Sequence, residues 1–349
     1  MKRYGNLFAT VASFENLYAA FRNASRTREL QPEVLKFSMN LEENLAALHY
    51  ELTTQTYRRG KVNQFIVYDP VQRLIMAAPF RERVVDWALY RVLNPLIDKR
   101  YISTSYGCRQ GKGSHAAVKM LQKFIRLQKS TAYVGKMDIA KYFYRVNHEI
   151  LLKLYADVIK DKQILWLLSL SVPENLPCGI DLKTGQKIVG VGMPIGSLAS
   201  QMHANFYLDP LDKFIKHNLK AKYYLRYMDD MCVVSDNKRE VRNVIEAARL
   251  FAKEKLQLEF NHKTCIRTET QGVDFCGYRV WRTHIRLRKS SALRMKHHIK
   301  FMQKNFLAGK ISSEQFNSSL QSHFGQLKHG NCLALREKIL SEVNLWNTF

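Results

Sequence analysis

Apolar residues recur every three or four positions through residues 7–55. Phe14, Leu17, Tyr18 and Phe21, and then Leu41, Leu45 and Leu48, mark the buried side of helices there. Beyond them the period falls to two. The stretch QFIVYDPVQRLIMAAPF predicts two strands about a turn at Asp69-Pro70. Helical spacing returns near 80–99 and 114–129, AYVGKMDIA reads as a strand, and residues 148–170 read as helix. CGIDLKTGQKIVGVG predicts a hairpin turning at Thr184-Gly185. A helix opening near Gly196 carries Leu198, Met202, Phe206, Leu211, Phe214 and Ile215 on its apolar side, and Pro210 is expected to kink it or break it in two. KYYLRYMDDMCVVSD predicts two short strands, followed by a helix near 238–255 and strands near 257–281. The tail reads as mostly helical, with Ser290 or Ser291 as its N-cap. Helices mixed with hairpins point to an α+β fold rather than a doubly wound one.

One feature does not fit a purely structural reading. Asp229 and Asp230 stand side by side in a run that is otherwise apolar. Asp is a common turn residue, so a polar hairpin turn is one explanation. A third carboxylate, Asp138, ends another apolar strand in YVGKMDIAKYF. Three carboxylates on neighbouring strand ends repel one another unless a cation lies between them. Hard oxygen ligands favour Mg²⁺. Two such ions, roughly 3.5–4 Å apart, stabilise the attacking and leaving oxygens of an in-line displacement at phosphorus.

Charge sharpens that reading. The 349-residue chain is 46% hydrophobic, an ordinary globular value, but carries a formal net charge of +25. A fold does not need such an excess, and self-repulsion works against it; a polyanionic partner does need it. Arg279 to Phe349 alone holds thirteen bases against three acids. No apolar run approaches the roughly 18–20 residues that span a membrane. The N-terminal stretch meets Glu15 and Asn16 before any long apolar core, so it does not read as a signal peptide. The six cysteines include no CxxC pair, which argues against a structural zinc site and fits reduced thiols in a cytoplasm.

YMDD at Tyr227–Asp230 resembles the palm hairpin signature of reverse transcriptases. The surrounding blocks extend the resemblance over about residues 60–285. RLIMAAPFRERVVDWAL (73–89) resembles the fingers block, and YGCRQGKGSHAAV (106–118) the second block of bacterial and intron enzymes. KMDIAKYFYRVNH (136–148) resembles the first catalytic block, and GMPIGSLASQMHANFYLDPLD (192–212) the block before YMDD. NHKTCIRTETQGVDFCGYRVW (261–281) resembles the last two palm blocks. The resemblance implies a right-hand polymerase: N-terminal helices and fingers over 1–130, palm over 131–282 with part of the fingers at about 150–190, and a basic helical thumb over 283–349. Where intron and retron enzymes read QGxxxSP, this chain reads IGxxxSQ from Ile195 to Gln201. That departure resembles reverse transcriptases of diversity-generating retroelements, which copy a template-repeat RNA into cDNA with errors at adenines. A chain of this length also leaves no room for maturase, endonuclease or RNase H domains.

The resemblance implies roles. Asp138, Asp229 and Asp230, with the Ile139 carbonyl, would hold two Mg²⁺ ions. Tyr227 and Met228 would face the primer end and the nucleotide, although Met228 equally suits core packing. Phe143, five residues after Asp138, would be the steric gate against a 2′-OH, with a plain buried ring as the alternative. Arg73 would grip the triphosphate, while Ile195, Gly196 and Gln201 would touch the incoming nucleotide. Lys263 would protonate the leaving pyrophosphate, or be a surface lysine. Arg81, Arg83, Arg109 and Lys112 would contact template or phosphate, or be solvated charges. Gly277 would permit close approach of backbones at the primer grip, and Arg294, Lys296 and Lys300 would bind the RNA–DNA hybrid backbone. His297-His298 has no carboxylate or Cys at ligand spacing and reads as phosphate contact or surface. Expected partners are template RNA, the RNA/DNA hybrid, dNTPs and a small basic accessory variability protein, in the cytoplasm of a bacterial or phage-infected cell. A retron-like or antiphage-defence enzyme, and a non-catalytic RNA-binding protein on a polymerase fold, are the alternatives.

Overall fold

A computed structural model of the chain describes residues 3–68, 73–172, 178, 179, 181 and 184–342. Four helices open it, α1 (Phe8–Ala12), α2 (Phe14–Ser25), α3 (Pro32–Met39) and α4 (Leu41–Thr53), ahead of strands β1 (Asn63–Val67) and β2 (Arg73–Ala77). Helices α5 (Phe80–Asp98) and α6 (Ser114–Arg126) lead to β3 (Tyr133–Asp138). Helices α7 (His148–Ala156), α8 (Lys162–Ser171), α9 (Leu198–Tyr207) and α10 (Asp209–Lys213) follow. Next come β4 (Tyr223–Tyr227), β5 (Asp230–Ser235), α11 (Lys238–Leu256), β6 (Cys265–Thr268), β7 (Val273–Phe275), β8 (Tyr278–Val280) and β9 (Ile285–Leu287). The tail is α12 (Lys289–Leu307), α13 (Ser313–Leu327) and α14 (Leu333–Glu342). The fold is α+β with antiparallel sheets, as the hairpin pattern predicts. The expected turn at Asp69-Pro70 lies outside the described residues, whereas Asp181 and Gln186 do close a turn over Thr184 and Gly185 (N···O 2.8 Å).

Two expectations need correction and a third holds. Residues 148–170 form two helices because Asp161 interrupts them. One of its carboxylate oxygens caps α8 through the N–H groups of Gln163 (3.2 Å) and Ile164 (3.4 Å). The other accepts the N–H groups of Leu7 (2.9 Å) and Phe8 (3.0 Å) at the start of α1. A capping carboxylate that satisfies four orphan donors competes well with one more turn of helix. The tail helix is capped by Arg288 rather than Ser290 or Ser291. The cause is β9, which the apolar pattern does not announce: it pairs with β8 and runs straight into the helix, so the residue leaving the strand becomes the cap. Pro210 does divide its helix; it sits in the first turn of α10, where its missing N–H is tolerated.

The chain forms two compact units. The first comprises residues 1–103, 139–218 and 247–260. Helices α2 and α9 pack on α5, and the rings of Phe21, Phe37 and Phe80 meet at 5.3–6.0 Å between centroids. The second unit comprises residues 104–138, 219–246 and 261–349. It holds a four-stranded antiparallel sheet in the order β4-β5-β3-β6 and a three-stranded sheet β7-β8-β9. One core joins them: Val134, Leu225 and Val234 from the first sheet, Phe275 and Val280 from the second, Leu121 from α6 and Phe316 from α13. The start of α11 lies so close on β3 that a Cβ on Gly135 would fall 2.6 Å from Val241.

Candidate active site

The second unit brings the carboxylates to one end of its four-stranded sheet. In the β3–β5 ladder Asp138 stands directly opposite Asp230, and Tyr227 stands opposite Asp230 from the other side. Residues so paired have Cα atoms about 4.5–5.5 Å apart. Asp229 lies in the turn between Tyr227 and Asp230. The three are half-buried. Burial, then the charges of Asp138 and Asp229, push the Asp230 carboxyl up to about 7, against the pull of Lys136. Burial also raises Asp138, opposed by Lys136, Lys263 and a hydrogen bond from Asn261.

Two of these neighbours escaped sequence reasoning. The Lys136 Nζ lies 3.3 Å from Asp230 Oδ1 and donates to the Asp274 carbonyl (2.9 Å). Burial works to lower its ammonium, but Asp230 more than offsets that and holds it above the usual lysine value. Its position two residues before Asp138 puts both side chains on one sheet face, a signal present in KMD. Asn261 donates its side-chain amide to Asp138 Oδ2 (3.2 Å) and its backbone N–H to the Asp138 carbonyl (2.6 Å). It thereby fixes one carboxylate oxygen and the strand end together. Its carboxamide oxygen accepts the Lys263 N–H (3.1 Å), so Lys263 sits on the same short turn.

The donor set fits Mg²⁺. It consists of hard carboxylate oxygens, and the buried Oδ1 of Asp230 meets the Lys136 ammonium at 3.3 Å without a well-aligned hydrogen bond. Among the described residues no group of three or more His, Cys, Asp or Glu converges as a ligand set, so the preformed part is the Asp138–Asp230 pair.

The turn that carries Asp229 is held from beneath. Arg226 is fully buried (0% exposed), and its guanidinium donates to the Met228 carbonyl (3.0 Å). Its backbone pairs with the segment before the second sequence block: Arg226 N–H to Thr104 O (3.0 Å) and Tyr106 N–H to Arg226 O (2.8 Å). Lys112 lies over the Tyr106 ring (5.0 Å), and Arg109 donates to the Ser105 carbonyl (3.0 Å). Gly277 departs from expectation. Nothing crowds it, since a Cβ would meet only Ser291 Oγ at 3.7 Å; its φ of +83°, after Cys276 at +46°, shows that the tight β7–β8 turn requires it.

The first unit holds the remaining residues. Ile195 is half-buried and its carbonyl accepts the Met76 N–H (3.2 Å). Gly196 takes φ +114°, and it lines with Ile75 and Gln201 an open cleft of about 600 Å³. Trp87, from the fingers block, also lines it, as do Arg26 and Arg28, which no motif announces. Phe143 is half-buried, and its carbonyl accepts the Met193 N–H (2.7 Å). Buried Ile139 bridges to Phe260. The Arg73 backbone opens β2, but its side chain lies outside the described residues. Arg81 pairs with Glu51 (2.5 Å) and Arg83 with Glu33 (2.9 Å), so both charges are partly spent within the fold.

In the tail, Lys296 (3.2 Å) and Lys300 (3.7 Å) share the Glu342 carboxylate, and Arg294 is exposed on the same helix. His298 Nδ1 lies 2.9 Å from His323 Nε2. Among the described residues no helix is long and apolar enough to cross a membrane.

Residues 71–280 match the family model described as Reverse transcriptase (RNA-dependent DNA polymerase). The chain is 22% identical to the Group II intron-encoded protein LtrA of Lactococcus lactis subsp. cremoris, over 88% of this chain and 58% of that protein. It is 24% identical to Protein YkfC of Escherichia coli, over 59% of this chain and 62% of that one. A 30% identity to an uncharacterized 91 kDa protein in the cob intron of Schizosaccharomyces pombe covers 41% of this chain and 17% of that protein. The chain thus spans less than two thirds of these relatives. Among solved structures, apo telomerase from Candida tropicalis, truncated from its C-terminal domain, superposes with a TM-score of 0.45 at 14% identity, over 67% of this chain and 55% of that one.

Proposed function

The chain belongs to the reverse transcriptase family, and from that premise we propose that it is an RNA-directed DNA polymerase that adds deoxynucleotides to a primer along an RNA template. The observation that carries this reading is the Asp138–Asp230 pair, set face to face at one end of the sheet beside Lys136, in a chain of net charge +25. Asp138, Asp229 and Asp230, with the Ile139 carbonyl, would hold Mg²⁺, which when bound supplies charge stabilisation to the oxygens entering and leaving phosphorus. Asn261 orients Asp138, and Lys136 balances the charge of Asp230. Lys263 gives its proton to the leaving pyrophosphate. The Arg73 guanidinium grips the triphosphate in a fork. Phe143 closes the space a 2′-OH would need. Tyr227 and Met228 face the primer end, and Ile195, Gly196 and Gln201 face the nucleotide. Arg81, Arg109, Lys112 and the primer-grip turn at Gly277 guide template and primer, and Arg294, Lys296 and Lys300 track the hybrid backbone by its phosphates. Residues 1–130 serve as N-terminal helices and fingers, 131–282 as palm with part of the fingers, and 283–349 as thumb. The test is extension of a DNA primer on an RNA template with dNTPs and Mg²⁺. Template binding without any extension sinks the reading.

Within the family, Ile195 and the IGxxxSQ block support an adenine-mutagenic enzyme of a diversity-generating retroelement, working with a small basic accessory protein in a bacterial or phage-infected cytoplasm. The intron-encoded relatives favour a group II intron-type enzyme as the second reading. Sequencing cDNA made by the purified chain separates them: errors concentrated opposite template adenine support the first, uniform accuracy the second.

A further inference from the structure

The two-residue turn between β4 and β5 has an unusual occupant. Its first residue, Met228, takes φ +54°, a region where hairpins of this kind prefer glycine. For an L-residue with a bulky side chain this costs about 1–2 kcal/mol. Such a conformation persists only where its surroundings impose it. Three features do so here, all in the second unit. The Arg226 guanidinium holds the Met228 carbonyl at 3.0 Å. The Arg226 backbone is itself locked between Thr104 and Tyr106. Gly107 leaves the space that Met228 fills, since a Cβ there would fall 2.7 Å from the Met228 backbone N, Cγ and Sδ alike.

Arg226 is also out of place by ordinary criteria. A long cationic side chain usually keeps its head in water, and burying it is costly unless its donors are engaged. Here it heads the fully buried side chains in size among the described residues. The cation that acts on Asp230 is Lys136, whereas the Arg226 guanidinium reaches the turn itself. What it grips is the backbone of the turn whose next two residues are Asp229 and Asp230.

We propose that Arg226 and Gly107 are positioning residues that hold Met228 in its left-handed conformation and thereby aim Asp229 and Asp230 at the metal. The proposal rests on the polymerase reading and predicts a defect in metal affinity rather than in template or nucleotide binding. Arg226→Lys keeps the charge but loses the planar fork; Gly107→Ala keeps every hydrogen bond but intrudes on Met228. Both variants are expected to fold by circular dichroism and to bind template–primer normally. Both should bind Mn²⁺, followed by electron paramagnetic resonance without nucleotide, about tenfold more weakly, or about 1.4 kcal/mol. Primer extension should need correspondingly more Mg²⁺, with KM for dNTP unchanged.

Folded variants that bind Mn²⁺ like the unmodified chain overturn the proposal, whatever their melting temperature. If only one variant folds, its Mn²⁺ affinity decides. Failure of both to fold also overturns it, since the pair would then be required by the fold and not by the turn. An unmodified chain that binds Mn²⁺ but extends no primer removes the polymerase reading, while the Mn²⁺ comparison still judges the positioning role.

Discussion

Two polar clusters, one in each unit, are buried to comparable purpose but finished differently. In the first unit His203 is wholly enclosed (0% exposed), with the Tyr155 hydroxyl at 2.9 Å from Nδ1 and the Ser171 hydroxyl at 2.7 Å from Nε2. Both ring nitrogens are answered, and Ser171 passes its own proton to the Leu168 carbonyl (2.6 Å). In the second unit two carboxylates, Asp138 and Asp230, face each other, and Asp230 has the Lys136 ammonium 3.3 Å away without a well-aligned hydrogen bond. A Ser–His–Tyr constellation looks chemically suggestive in isolation, yet its closure makes it a structural knot. The carboxylate pair keeps like charges together even with Lys136 beside it, and so has a use for a further cation. Buried polarity signals function where it is unfinished.

The largest effect should come from opening the unfinished cluster. Asp138→Asn or Asp229→Ala is expected to reduce primer extension to background while the melting temperature in Mg²⁺-free buffer holds or rises, because like-charge repulsion falls. Substantial extension by either purified variant would break the contrast at once. The finished cluster should respond in the opposite sense. His203→Ala leaves the buried Tyr155 hydroxyl without its partner, takes a donor from Ser171 and opens a cavity, a loss of about 2–4 kcal/mol of stability read by urea denaturation. The activity per folded molecule should not change.

Acid provides a finer probe of the same knot. Burial, with Arg59 and His148 adding to it, pushes His203 down to about 3. An unfolded histidine takes its proton near pH 6.5. The contribution is therefore complete above about pH 6.5 and lost as pH falls towards 3, at up to about 1.4 kcal/mol per pH unit. His203→Gln should flatten that slope in denaturation curves between these limits. The smallest effect is expected at Ile195. Gln there can offer an amide hydrogen bond of about 0.5–1.5 kcal/mol, so Ile195→Gln should lower errors opposite adenine by up to about tenfold. Equal error rates in sequenced cDNA would mean that Ile195 does not set fidelity.

Much of this was legible along the chain because it is written in local periodicity. The hairpin at 223–235, the break at Pro210 and the carboxylates at two strand ends all follow from spacing of two or of three to four. What stayed hidden depends on partners distant in sequence. Asp161 splits a helix because its carboxylate also serves Leu7 and Phe8, more than 150 positions away. Nothing in YLRYMDD marks Arg226 for full burial, and the backbone bonds that fix it come from Thr104 and Tyr106. His298 finds His323 on a neighbouring helix rather than at ligand spacing on its own. Gly277 could be recognised as necessary but not why, since a positive φ and a close approach leave the same letter in the sequence.

The strand order β4-β5-β3-β6 has a consequence in time. Asp138 leaves the ribosome long before Asp230 does, and at about 5–20 residues per second the wait is roughly 5–20 s. Throughout it β3 has neither of its ladder neighbours, since β5 and β6 are both still unmade. Its apolar face and free backbone edges stand open for the whole interval, and non-local pairing of this kind is slow to close. Synthesis of this protein in a foreign host should accordingly be limited by aggregation of nascent chains, and cooler, slower expression or a generic holdase chaperone should raise the yield of folded protein.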